Sequence, residues 1–100
     1  MNLEGKTFIV TGAASGLGEA VVREYVNAGA NAVVADLNEE QGKALVGELG
    51  ECTRFVRTDV TNPDDAQSAV DLALETFGAL HGVVNCAGVG TPSKVVGKEG

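Results

Sequence analysis

The sequence predicts an α/β protein built on a parallel, doubly wound sheet. Three observations carry the prediction. Four short apolar or β-branched runs recur along 100 residues, three stretches with apolar residues three or four apart lie between them, and several of the 14 glycines fall at their ends. Strands alternating with helices give a parallel sheet with right-handed crossovers. The order β-α-β-α-β-α-β is the first half of a doubly wound fold, with strand order 3-2-1-4.

Thr7-Phe8-Ile9-Val10-Thr11 reads as a strand buried on both faces, because its apolar run is continuous rather than alternating. A glycine-rich turn follows. Leu17, Ala20, Val21, Tyr25 and Ala28 then recur at helical spacing and predict the buried face of the first helix, with Gly29 as its C-terminal cap. Asn31 to Asp36 is the second strand. Asn38 predicts an N-cap, Glu39 and Glu40 complement the helix dipole, and Leu45 and Leu49 supply the core face before Gly50. Gly42 and Gly47 weaken this helix. Thr53 to Arg57 is a third strand. Thr61-Asn62-Pro63-Asp64-Asp65 is a helix start with a capping residue, proline in the first turn and then acids. Ala66, Ala69, Val70, Ala73 and Phe77 form its stripe, with Leu74 beside it, and Gly78 stops it. His81 to Cys86 is the fourth strand, His81 being a partly buried polar residue at its start, and Val89 to Gly100 reads as loop.

Composition narrows the function. A hydrophobic fraction of 44% is ordinary for a folded chain, which excludes general disorder. The net charge of −7 argues against a nucleic-acid partner, since nothing would neutralise phosphates along a strand. Apolar runs fall far short of the roughly 20 residues of a membrane span. The N-terminus lacks a basic segment followed by an apolar one, so a cytoplasmic protein is expected. Cys52 and Cys86 are expected to be free thiols, and His81 has no second ligand at metal-binding spacing. The fourth strand would be a sheet edge, so residues 1–100 are expected to form part of a dinucleotide-binding domain whose remainder lies beyond residue 100, in a protein of roughly 250 residues.

The chemistry sits at the strand ends. In Thr11-Gly12-Ala13-Ala14-Ser15-Gly16-Leu17-Gly18, Gly12 permits a tight turn, Gly16 lets backbone approach a pyrophosphate, and Gly18 allows close helix–strand packing. The N–H groups of the helix start would face the phosphates, and Ser15 adds a hydroxyl. A surface turn needing glycine only for shape is the alternative. Asp36 ends the second strand, where a carboxylate can accept both hydroxyls of an adenosine ribose and repel a 2′-phosphate. No Arg or Lys follows nearby in sequence, which favours NAD over NADP; a capping or solvated aspartate is the other reading. Asp59 and the backbone N–H of Val60 could pair with an adenine edge, or Asp59 could serve the helix start ahead of Asn62. Asn85 could meet a ligand at the topological switch point or bond neighbouring backbone.

The Thr-Gly-x-x-x-Gly-x-Gly spacing of Thr11 to Gly18, then Asp36, then Asp59-Val60-Thr61, then Asn85-Cys86-Ala87-Gly88, resembles the short-chain dehydrogenase/reductase family. Cys86 in place of a commoner Asn, with Ser93-Lys94 downstream, looks most like the type 2 3-hydroxyacyl-CoA dehydrogenases of that family. The resemblance implies a Rossmann-type fold, NAD as cofactor, an alcohol or hydroxyacyl-CoA substrate and a homotetramer. It places Ser15 and Leu17 beside the pyrophosphate, Asp36 on the ribose, Asp59 and Val60 on the adenine, and the Cys86 backbone near the cofactor. It also implies a catalytic Ser, Tyr and Lys, the Lys four residues after the Tyr. Here the one tyrosine, Tyr25, is followed at that spacing by Gly29, so Tyr25 is expected to be core and no catalytic residue is assigned. Two alternatives stand beside this reading: an S-adenosylmethionine-dependent methyltransferase, disfavoured by the three-residue gap between Gly12 and Gly16, and a non-catalytic nucleotide-binding scaffold.

Overall fold

A computed structural model describes residues 3–13, 16–59 and 61–86. Strands β1 (Thr7–Thr11), β2 (Asn31–Asp36), β3 (Thr53–Arg57) and β4 (Gly82–Asn85) alternate with helices α1 (Gly16–Asn27), α2 (Glu39–Leu49) and α3 (Pro63–Phe77). All pairings are parallel and the sheet order is β3-β2-β1-β4, the arrangement the alternation predicts.

The continuous apolar runs follow from burial on both faces. In β2, residues Ala32, Val33, Val34 and Ala35 are all fully buried. Val10, Ala32 and Val34 face α1 and α2 and pack with Val22 and Leu45. Ile9, Val33 and Ala35 point the other way and meet Ala69 and Ala73 of α3. Alternate residues of one strand thus serve two separate apolar layers.

The ends of the helices follow local chemistry. The Asn38 side chain accepts the Gln41 N–H at the start of α2, and the Asn62 side chain accepts the Asp64 N–H at the start of α3. Asn62, rather than Thr61, is therefore the cap. Gly78 closes α3 in the left-handed conformation, with φ of 80°.

Three sequence expectations need correction. The sheet-facing residues of α1 are centred on Gly18 and Val22, with Val21, Tyr25 and Val26 flanking; Leu17 is 55% exposed, and Ala20 and Ala28 also face solvent. The close approach of backbone at Gly18 turns the helix so that this glycine, invisible to an apolar pattern, leads the buried face. On α3, Ala66 is exposed, while Leu72 joins the layer together with Leu80, which follows the helix. His81 is exposed and precedes β4 rather than starting it. Its Nδ1 accepts the Thr7 N–H at 3.0 Å while its own N–H donates to the Thr7 carbonyl at 2.7 Å, so it opens the β1–β4 ladder.

Gly42 does not interrupt α2. It is buried, and the Phe55 ring occupies the place a side chain would take. Tyr25 is core packing, its ring 4.6 Å from that of Phe8. Both cysteines are free. Among the described residues no helix is long and apolar enough to cross a membrane, and no cluster of His, Cys, Asp and Glu could hold a metal ion. The expected loop from Val89 to Gly100 lies outside the described residues.

Candidate nucleotide-binding rim

Because the strands are parallel, their C-terminal ends share one rim of the sheet, and β1 sits between β2 and β4 where the strand order reverses. The turn leaving β1 begins at Gly12, whose φ of 66° is a left-handed value that glycine adopts without a Cβ clash. Its N–H donates to the Ala35 carbonyl at 2.9 Å, and Ala13 is fully buried. A Cβ on Gly18 would overlap the Gly12 carbonyl and come within 2.6 Å of the Ala13 Cα. Contact this close brings the first turn of α1 directly over the exit of β1. At Gly16, the first residue of α1, an added Cβ would meet nothing within 4 Å. Gly18 is thus pressed against the exit of β1, while the space beside Gly16 is open among the described residues. Amide groups at a helix start, an open approach and glycines in place of side chains fit the diphosphate of a dinucleotide. Leu17, the second residue of α1, is exposed. Ser15 and Val60 lie outside the described residues.

Asp36 ends β2 at the same rim. Its Oδ1 accepts the Asn38 N–H at 2.8 Å, a short local bond that fixes the carboxylate at the start of α2. Asp59 follows β3. Its Oδ1 accepts both the Thr61 hydroxyl at 2.6 Å and the Thr61 N–H at 2.9 Å, and its own N–H donates to Asp65 Oδ2 at 2.9 Å. The Thr61 hydroxyl first, then the Thr61 N–H, hold the Asp59 carboxyl below its usual range. Asp59 therefore anchors the turn into α3 without being its cap.

Across the switch point, the Thr11 hydroxyl donates to Asn85 Oδ1 at 2.8 Å. Asn85 is thus joined by side chain to β1, a partner that neither reading of the sequence supplied. The Cys86 N–H donates to the Thr11 carbonyl at 3.0 Å, extending the ladder by one residue. The Cys86 thiol is buried, and burial pushes its pKa up, so it stays protonated and unreactive at neutral pH. Tyr25, beside that layer, is raised chiefly by burial as well.

Sequence reasoning missed Arg57. Parallel pairing sets it opposite Asp36 in the register, and alternation from the pair Val34–Phe55 puts both on the α2 side of the sheet. Its Nε lies 3.9 Å from Glu39 of α2. Strand pairing brings together residues 21 apart in sequence, and no local pattern announces it.

With this geometry in place, comparison with known proteins is direct. The short chain dehydrogenase family matches residues 6–98. The 3beta-hydroxysteroid dehydrogenase 2 of Eggerthella lenta is 44% identical over 90 residues, covering 87% of this chain and 35% of the relative. The crystal structure of 3-hydroxyacyl-CoA dehydrogenase type-2 from Mycobacterium avium superposes with a TM-score of 0.79 at 44% identity, over 84% of this chain and 33% of that one. A 3-ketoacyl-(acyl-carrier-protein) reductase from Brucella melitensis, complexed with NADH, gives a TM-score of 0.79 at 34% identity, over 82% of this chain and 34% of that one. The chain belongs to the short chain dehydrogenase family. It spans about a third of the length of the curated relatives it matches. Family membership sets aside the methyltransferase alternative.

Proposed function

We propose that the protein carrying this sequence is an NAD-dependent oxidoreductase that oxidises a secondary alcohol to a ketone, with 3-hydroxyacyl-CoA as the substrate class. The observation that carries the cofactor assignment is the turn after β1. Gly18 lies hard against Gly12 while Gly16 faces open space, so the start of α1 is presented at the switch point. Asp36 supports NAD, since a carboxylate there accepts ribose hydroxyls and repels a 2′-phosphate. Support for the substrate class comes from the similarity to a 3-hydroxyacyl-CoA dehydrogenase, and the NADH held by another relative supports a nicotinamide cofactor. A homotetramer belongs to the same proposal on resemblance, and a cytoplasmic location is proposed with it.

The nicotinamide, when bound, exchanges a hydride with the substrate carbon. The residues described here bind and orient: amides after β1 hold the diphosphate, Asp36 the ribose, and Asp59 the adenine edge. Fixing the cofactor in one pose turns a bimolecular encounter into an effectively unimolecular one.

The test uses the full-length protein and calorimetric titration with NAD. Asp36→Asn is expected to cost about 1.5–3 kcal/mol of binding, the range for hydrogen bonds to a charged group. Gly16→Val is expected to abolish NAD binding while leaving the melting temperature unchanged, because a Cβ there meets no packing neighbour within 4 Å among the described residues. Unaltered NAD affinity in both variants would overturn the assignment.

A further inference from the structure

Asp36 is not the only charged group at the ribose end of the rim. Arg57 sits opposite it on the neighbouring strand, on the same side of the sheet. A 2′-phosphate arriving beside Asp36 would therefore find a guanidinium within reach. That guanidinium is already engaged: Glu39, in the first turn of α2, lies 3.9 Å from Arg57 Nε and 3.5 Å from Lys43 Nζ. Glu39 is one residue after Asn38, whose N–H is bonded to Asp36. One carboxylate thus pairs with both Arg57 and Lys43 on the α2 side.

We infer that Glu39 is a second specificity-determining residue for the adenosine ribose, acting as a positioning residue through Arg57. The inference rests on the NAD reading of the site and deepens it. Asp36 and Glu39 carry two negative charges and Arg57 and Lys43 two positive ones, with Glu39 3.9 Å from Arg57 Nε and 3.5 Å from Lys43 Nζ, and Arg57 opposite Asp36 in the strand register. The four sum to zero, and Asp59, which interacts electrostatically with Arg57, adds negative charge, so a phosphate dianion gains nothing there. Neutralising Glu39 leaves an excess cation and releases Arg57, whose planar fork suits a phosphate. Glu39 therefore guards against the 2′-phosphate without touching the ribose.

Binding in the full-length protein is measured by calorimetry with ADP-ribose and with 2′-phospho-ADP-ribose, so the readout is an affinity ratio rather than turnover. Glu39→Gln is expected to narrow the preference for ADP-ribose about three- to tenfold, as the release of an exposed guanidinium to a charged acceptor allows. Adding Arg57→Met to Glu39→Gln is expected to restore the original ratio. Adding Glu39→Gln to Asp36→Asn is expected to narrow the ratio beyond Asp36→Asn alone. A ratio unmoved by Glu39→Gln, or a gain that survives Arg57→Met, overturns the inference. If Glu39→Gln fails to fold, Glu39→Ala reads the same contact: it must narrow the ratio by a similar factor, and failure to do so overturns the inference. Absence of ADP-ribose binding by the unmodified protein overturns the NAD reading and this inference together, whereas binding that depends on Asp36 but not on Glu39 overturns this inference alone.

Discussion

Gly42 and Gly47 lie on the same helix, yet the structure gives them opposite roles. A Cβ at Gly42 would overlap the Phe55 ring, while one at Gly47 would meet nothing within 4 Å. Alanine raises helix propensity at both positions by about 0.5–1 kcal/mol. At Gly47 nothing opposes that gain, so Gly47→Ala is expected to stabilise by about that amount. At Gly42 overpacking costs about 1–3 kcal/mol and outweighs it. Gly42→Ala should therefore destabilise, and Phe55→Leu in the same chain should recover part of the loss. Urea denaturation of the four proteins checks both signs. The sequence showed two glycines that weaken a helix; which one is structural depended on the ring of Phe55, a partner in β3 that helical periodicity does not reveal.

Between elements, α1 and α2 are joined at their exposed surfaces by one guanidinium. Arg23 forms a two-pronged pair with Glu48, at 2.7 and 2.9 Å, and an i,i+4 pair with Glu19 at 2.7 Å. The hydrogen bond donated by Arg23 holds the Glu48 carboxyl below its usual range, and the same bond, accepted by Glu48, raises Arg23 further. A carboxyl with a depressed folded pKa contributes stability above its unfolded value, near 4, and loses it as the pH falls through the folded value. Asp59, held down by Thr61, obeys the same sign. Arg23→Met is therefore expected to lower the urea midpoint at pH 7 and to have little effect near pH 2. Added salt should shrink the difference at pH 7, because all three side chains are exposed to screening. At this scale the sequence was most informative. The bounds of β1, β2 and β3 and the starts of α2 and α3 follow from caps and apolar runs. The facing of α1 did not, because Gly18 packs through its lack of a side chain, which an apolar count passes over.

For the molecule as a whole, strand order was legible because alternation and handedness leave few topologies. The cation beside Asp36 was not, since it depends on the register between two strands. The outer flank of the sheet is also a property of the whole. Val83 of β4 is 40% exposed and, with Ile9, Val70, Ala66 and Ala69, lines an apolar cavity on the α3 side. Apolar surface of this kind beside a strand edge invites association. Residues 1–100 expressed alone are therefore expected to elute from size exclusion as oligomers or aggregates, and Val83→Lys should shift them toward monomer. A monomeric, cooperatively melting product from the unmodified segment would contradict this.

The position of β1 in the middle of the sheet also bears on how the protein is made. Its partner on one side, β2, follows at once, but the contact on the other side joins Thr11 to Asn85, 74 residues later. On a ribosome, the half-sheet β3-β2-β1 with its two helices can therefore assemble first, while one flank of β1 waits for its last neighbour to be translated. Bridging a long stretch of chain is the entropically slow step. The crevice between β1 and β4 would then close only after the β3-β2-β1 half-sheet has formed, leaving Asp36 on built scaffold before Asn85 arrives.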